Sequence, residues 1–99
     1  MKINNNKTSA DGTSLKGYLF TTYENLVNLL GQPLGGSADG KTTCEWILEF
    51  DDGSVATIHD WKTGNTPKEP YRWSIGGKTA KVIKLVEKAL NLKTEPFAI

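Results

Sequence analysis

Residues 46–62 read WILEFDDGSVATIHDWK, and residues 71–77 read YRWSIGG. Around the first of these, Cys44, Trp46, Leu48 and Phe50 alternate with Thr43, Glu45, Ile47 and Glu49, the period of a half-buried strand. Asp51-Asp52-Gly53 supplies a turn, and SVATIHDW returns as the partner strand. Tyr71, Trp73 and Ile75 then alternate with Arg72 and Ser74 in a third strand. Two hairpin registers are open. A two-residue Asp52-Gly53 turn sets Trp46 opposite His59 and Cys44 opposite Trp61. A three-residue Asp51-Asp52-Gly53 loop with a bulge sets Trp46 opposite Ile58 and swaps the faces of His59 and Trp61. The first gives one face the richer apolar set and is the expected register.

Upstream, LKGYLF (15–20) reads as a short strand interrupted by Gly17. TTYENLVNLLGQP follows with helix signals: Thr21 and Glu24 at capping-box spacing, Tyr23, Leu26, Val27 and Leu30 on one face, and Gly31 and Pro33 as terminators. Residues 34–42, LGGSADGKT, and 62–70, KTGNTPKEP, read as polar loops. Gly76-Gly77 is expected to break the sheet before an amphipathic helix within KTAKVIKLVEKALNL. Its core stripe is Val82, Leu85, Val86 and Ala89, with Lys81, Lys84 and Lys88 on another. The tail TEPFAI is expected to dock through Phe97. Residues 1–14 read as a flexible polar arm and 15–99 as a single domain. The order β-α-β-β-β-α predicts an α+β fold, a small antiparallel sheet of about four strands with two helices on one face.

Ninety-nine residues suit one core and are too few for two. Hydrophobic content of 37% with 23% charged residues argues against global disorder. A single cysteine, Cys44, cannot form an internal disulfide. The start MKINNNKTSADGTS has no apolar signal-peptide region, and no apolar run approaches the roughly 20 residues that span a bilayer. A cytoplasmic protein without membrane association is expected. Net charge is +1, but residues 1–61 carry −4 and residues 62–99 carry +5, an asymmetry that can steer an anionic partner. Three Trp, three Tyr and three Phe are much aromatic surface for one small domain. Self-association, most simply as a homodimer pairing LKGYLF or YRWSI across a two-fold axis, is therefore expected.

Catalytic groupings are weak. Cys44 begins an apolar strand face beside Glu45, so it reads as a core cysteine rather than a thiolate nucleophile paired with His59. One His and one Cys fall short of a zinc set, and Asp51-Asp52-Gly53 is first a turn sequence. No metal, cofactor or catalytic residue is expected. Glu45, Glu49 and Asp60 share a face in the expected register, but as exposed strand acids rather than a glycosidase pair. Gly77-Lys78-Thr79 ends like a P-loop, yet the motif would need Gly where Arg72 stands.

The same region offers an anion site, beside the plainer reading in which Gly76 and Gly77 only make the strand-to-helix turn and Thr79 caps the helix. Gly76-Gly77 entering a helix exposes backbone N–H groups at the positive dipole end, with Thr79 as the helix cap and Lys78 and Lys81 in the first turn. Trp61, Tyr71 or Trp73 is available to stack on a base while Lys62, Arg72 and Lys78 neutralise phosphate. Trp46 and Trp73 are expected in the core and Trp61 at the surface. A competing reading uses Glu45, Glu49, Asp51, Asp52 and Asp60, five acids without a Lys or Arg among them, as an anionic surface that engages a basic host protein such as a nuclease.

The order of these segments resembles a family of small bacteriophage proteins of unassigned function, which read as tyrosine-helix-FGxP, T-x-EW, DDGTVATIYDWK and Y-x-W-x-IGG. The likeness covers about residues 15–90, carried most specifically by DDGSVATIHDWK and YRWSIGG. The chain departs from it at Leu30, where Phe is common, and at His59, where Tyr is common. The resemblance implies phage origin and action in the host bacterial cytoplasm, and makes counter-defence the natural role. The expectation is therefore a non-catalytic accessory protein that binds and sequesters a small anionic, nucleotide-derived signal. The alternatives are an inhibitor of a host defence protein acting through the acidic hairpin, and a structural phage protein.

Overall fold

In the computed structural model, which describes residues 1–97, the chain runs β1 (Lys2–Ile3), β2 (Ser14–Thr21), α1 (Tyr23–Leu30), β3 (Leu34–Gly35), β4 (Cys44–Glu49), β5 (Val55–His59), β6 (Tyr71–Gly77), α2 (Lys81–Leu90) and β7 (Thr94–Pro96). The β4–β5 hairpin closes on three loop residues. The Phe50 N–H donates to the Ser54 carbonyl at 2.8 Å and the Gly53 N–H to the Phe50 carbonyl at 2.9 Å. Gly53 takes φ +88°, a left-handed conformation that costs a residue with a side chain about 1–2 kcal/mol. Trp46 accordingly lies opposite Ile58 and Glu45 opposite His59, which corrects the expected two-residue turn. A turn followed by a left-handed glycine matches the twist of the strands. It also puts Trp46, Leu48, Ala56 and Ile58 on one buried face. Gly53→Ala is expected to lower stability by about 1 kcal/mol, read as a lower urea midpoint at unchanged slope.

Among the described residues the sheet has seven strands rather than about four, in the order β1-β4-β5-β6-β2-β7 with β3 also on β4, all antiparallel. Three of them, β1, β3 and β7, are only two or three residues long and extend the sheet at its margins. The polar N-terminal segment thus contributes a strand: β1 pairs with β4, and the Asn4 side chain accepts the Ile47 N–H at 2.8 Å. β2 runs unbroken through Gly17 rather than being interrupted there, although the β2–β6 register shifts between Leu15 and Gly17. LKGYLF and YRWSI lie inside the sheet, with Gly17–Leu19 paired to both β6 and β7 and Ser74–Gly77 to both β2 and β5, so neither offers a free edge along its length for the pairing expected of a dimer.

Both helices pack on the Trp46 face. Leu26 and Leu30 of α1 and Val82, Ile83, Val86 and Leu90 of α2 share one core with Leu19, Trp46, Ile58, Trp73 and Ile75. The α2 stripe differs from expectation: Ile83 and Leu90 are buried, whereas Ala89 is exposed. The α1 cap is Thr22 rather than Thr21, with its hydroxyl accepting the Asn25 N–H at 3.1 Å. β6 runs on through Gly77, so the expected break at Gly76-Gly77 does not occur. A Cβ on Gly77 would stand 2.5 Å from Val82 Cγ2, and one on Gly76 would collide with the Thr57 hydroxyl. The two glycines therefore let α2 and Thr57 approach opposite faces of the same strand. Among the described residues no helix is long and apolar enough to cross a membrane.

Candidate functional site

The sheet face turned away from the helices carries the other half of each strand's alternation. Register pairs Tyr18 with Ser74 and Phe20 with Arg72 across β2 and β6, and His59 with Ser74 and Thr57 with Gly76 across β5 and β6. A trough of about 710 Å³ follows this face, lined by Leu15, Tyr18, Thr57, His59, Trp61, Arg72, Ser74 and Gly76 among others. Its floor is small and polar: Thr57 and Ser74 are almost fully buried, and Gly76 has no side chain. Its walls are aromatic. Trp61 is 48% exposed, and its ring lies 6.4 Å from that of His59. Lys41 and Lys62 place their Nζ atoms 5.8 and 5.7 Å from the Trp61 ring centre.

Arg72 stands on the opposite wall, its guanidinium 3.7 Å from the centre of the Tyr18 ring and ion-paired with Glu95 of β7. Beyond that stack lies a smaller depression of about 320 Å³ lined by Tyr18, Phe20, Arg72, Lys93, Thr94 and Glu95. Tyr71 belongs mainly to the core side. Its ring packs edge-on against Trp73 at 5.1 Å, and its hydroxyl accepts the Trp61 N–H at 3.1 Å.

The residue that fixes Trp61 is Asp60, which is fully buried. Its carboxylate accepts the Thr43 N–H at 2.7 Å, the Thr43 hydroxyl at 2.6 Å, the Thr63 hydroxyl at 2.5 Å and the Cys44 N–H at 3.4 Å. Burial pushes the Asp60 carboxyl up, but the hydrogen bonds from Thr43, Thr63 and the Cys44 amide outweigh it and hold the group below its ordinary range. Two residues on, Lys62 adopts φ +55° and donates its N–H to the Lys41 carbonyl at 2.6 Å. The chain around Trp61 is thereby tied to the start of β4.

The residues expected to form one anion site therefore separate. Trp61, Tyr71, Arg72 and Gly76 line the trough and Lys62 adjoins it, whereas Gly77, Lys78, Thr79 and Lys81 do not. Lys78, Thr79 and Lys81 surround the hairpin loop instead, where Lys81 Nζ pairs with Asp52 at 2.8 Å. That hydrogen bond leads the causes that bring the Asp52 carboxyl down to about 2. Thr79 does not cap α2 with its side chain; Ala80 holds the cap position.

The five hairpin acids do not form one free surface. Asp60 is buried on the core side, a correction to its expected place beside Glu45 and Glu49. Glu45 is half-buried, and burial raises its carboxyl above the ordinary range against the opposing charge of His59. Glu49 accepts the Thr8 hydroxyl at 2.7 Å, and Asp51 pairs with the N-terminal amine at 3.3 Å. Cys44 is buried, and burial followed by the nearby Asp60 charge raises its thiol, the opposite of nucleophile activation. No group of three or more His, Cys, Asp or Glu that could hold a metal ion occurs among the described residues.

Tyr18, Phe20 and Glu95 join the candidate site without having been singled out in the sequence, and His59, weighed there only as a partner for Cys44, lines it as well. The signal for two of them was present: LKGYLF carries large apolar residues at adjacent positions, so one strand face had to hold an uncovered ring. Comparison with family models, curated proteins and solved structures returns no match for this chain.

Proposed function

We propose that this chain is a non-catalytic, phage-encoded accessory protein acting in the host cytoplasm, where it binds and sequesters a small anionic, nucleotide-derived signal in counter-defence. The observation that carries the reading is the trough on the open sheet face, which joins an exposed Trp61, a hydroxyl-lined floor and the Tyr18–Arg72 stack. Its size lies within the range of about 300–1,000 Å³ typical of small-ligand sites. A planar base stacks on Trp61, the floor hydroxyls and His59 offer hydrogen bonds to its edge, and Arg72 meets a phosphate. Phage origin and counter-defence rest on the sequence resemblance. The acidic-surface alternative loses support because Asp60 is buried and Asp52 is paired with Lys81.

Calorimetry against cyclic oligonucleotides, mononucleotides and ADP-ribose derivatives tests the reading. At least one is expected to bind below about 10 μM, roughly −7 kcal/mol. Trp61→Ala is expected to weaken that binding by about tenfold, the loss of one stacking contact. Failure of the whole set to bind at that level would remove the sequestration role. Self-association belongs to the same reading, with the outer strands β7, β1 and β3 as the available edges. Light scattering near the 10.9 kDa of a single chain at micromolar concentration would exclude it.

A further inference from the structure

The trough and the smaller depression share one wall, since Tyr18 and Arg72 line both. Each has its own exposed ring, Trp61 at 48% in the larger and Phe20 at 65% in the smaller. Between them stands a single guanidinium, held against Tyr18 at 3.7 Å. We infer that the site takes a two-base phosphodiester: one base on Trp61, the second on Phe20, and the bridging phosphate on Arg72. This rests on the nucleotide reading above and names its ligand class.

Arg72 already binds an anion of the same kind. The Glu95 carboxylate occupies it from β7, and both side chains of that pair are more than half exposed. Exposed ion pairs contribute little to stability, so a phosphate can replace the carboxylate at small cost and take the planar, two-pronged geometry that guanidinium favours. Glu95 thus acts as a built-in competitor. The charge of the face sets the length of the ligand. Lys93 lies at the Phe20 end and Lys41 and Lys62 at the Trp61 end, but Glu45 and Glu95 share the surface with them. Four cations against two carboxylates suit one or two phosphates and offer few contacts to a long polyanionic strand.

The test is calorimetry on the full chain with adenosine, AMP, linear ApA, cyclic di-AMP and a 20-nucleotide single strand, together with the guanine counterparts of the small ligands. At least one dinucleotide, linear or cyclic, is expected to bind about tenfold or more tightly than its mononucleotide. Phe20→Ala is expected to abolish that advantage while leaving mononucleotide affinity unchanged. Phe20→Leu, which keeps the apolar bulk and loses the ring, is expected to follow it. Glu95→Gln is expected to tighten dinucleotide binding severalfold and leave adenosine unaffected. Equal affinity for mono- and dinucleotides, indifference to Phe20→Ala, or affinity that climbs with strand length would each overturn the inference and leave nucleotide binding standing. Binding of none of these ligands would overturn both.

Discussion

Asp60→Ala is expected to lower the unfolding free energy by about 3 kcal/mol or more, the cost of leaving buried donors without their acceptor. The carboxylate serves four donors from two separate places in the chain: the Thr43 amide and hydroxyl with the Cys44 amide, and the Thr63 hydroxyl. The hydroxyls can turn elsewhere, and Thr43 already shares a 2.6 Å bond with Thr66. The two amides cannot turn, and they begin β4. Asp60→Asn keeps the shape and one carbonyl acceptor, so it is expected to cost less, about 1–2 kcal/mol. The pH dependence has a definite sign. The folded carboxyl lies below its ordinary value, so its contribution is complete above the unfolded pKa of about 3.9. That contribution is lost as pH falls through the lower folded value. Urea denaturation at pH 7 and near pH 3 is expected to show a smaller acid-induced loss for Asp60→Asn than for the unsubstituted chain. An equal loss in both would mean that the fold does not lower the Asp60 pKa. Trp61 follows Asp60 directly, so the alanine variant is also expected to weaken ligand binding in the fraction that remains folded.

That carboxylate also shows where sequence reading reached its limit. The strands Cys44–Glu49, Val55–His59 and Tyr71–Gly77 and both helices follow from the spacing of apolar residues, as does the burial of Trp46 and Trp73, whereas Trp61 was placed at the surface by the polar loop that begins at Lys62. The register was not. Asp51-Asp52-Gly53 satisfies a two-residue or a three-residue loop equally well, and the choice moves every residue of β5 to the other face. Counting apolar residues favoured the wrong choice because Trp61 scored as core and Asp60 as surface. Only the donors that converge on Asp60 from Thr43, Cys44 and Thr63 reverse that preference, and no local pattern announces them. The same error gathered Asp60 with Glu45 and Glu49. Strands β1, β3 and β7 were missed for a simpler reason: two or three residues at a sheet margin are too short to show a period. In the candidate site, Arg72 and Trp61 were found by chemical type, whereas Tyr18, Phe20 and Glu95 enter through strand order. That order puts β2 between β6 and β7, a neighbourhood made by residues far apart in the chain.

Trp73→Ala is expected to cost about 3–5 kcal/mol, the range for removing a large buried aromatic. Trp61→Ala is expected to change stability by no more than about 0.5 kcal/mol. Trp73 has no exposed surface. Its ring meets Trp46 at 5.8 Å and Tyr71 at 5.1 Å, and its indole N–H donates to the Thr21 carbonyl at 3.1 Å. Truncation opens a cavity in the core beside Trp46 and Tyr71 and takes the indole donor from that carbonyl. Against a domain stability of about 5–15 kcal/mol, the loss is enough to unfold a marginal fold. Trp73→Phe retains a ring but not the donor and is expected to cost about 1–2 kcal/mol. Arg72 and Ser74 flank Trp73 on the same strand and face the trough, so the core ring sets where the guanidinium stands. Trp61 has the reverse balance: nearly half of it faces solvent, and its worth lies in what it stacks on. Tryptophan emission separates the two roles. The red-edge, quencher-accessible component is expected to vanish in Trp61→Ala, while the buried component from Trp46 and Trp73 persists until unfolding. If Trp61→Ala proved as destabilising as Trp73→Ala, Trp61 would be a core residue and the open sheet face would lose its principal stacking surface.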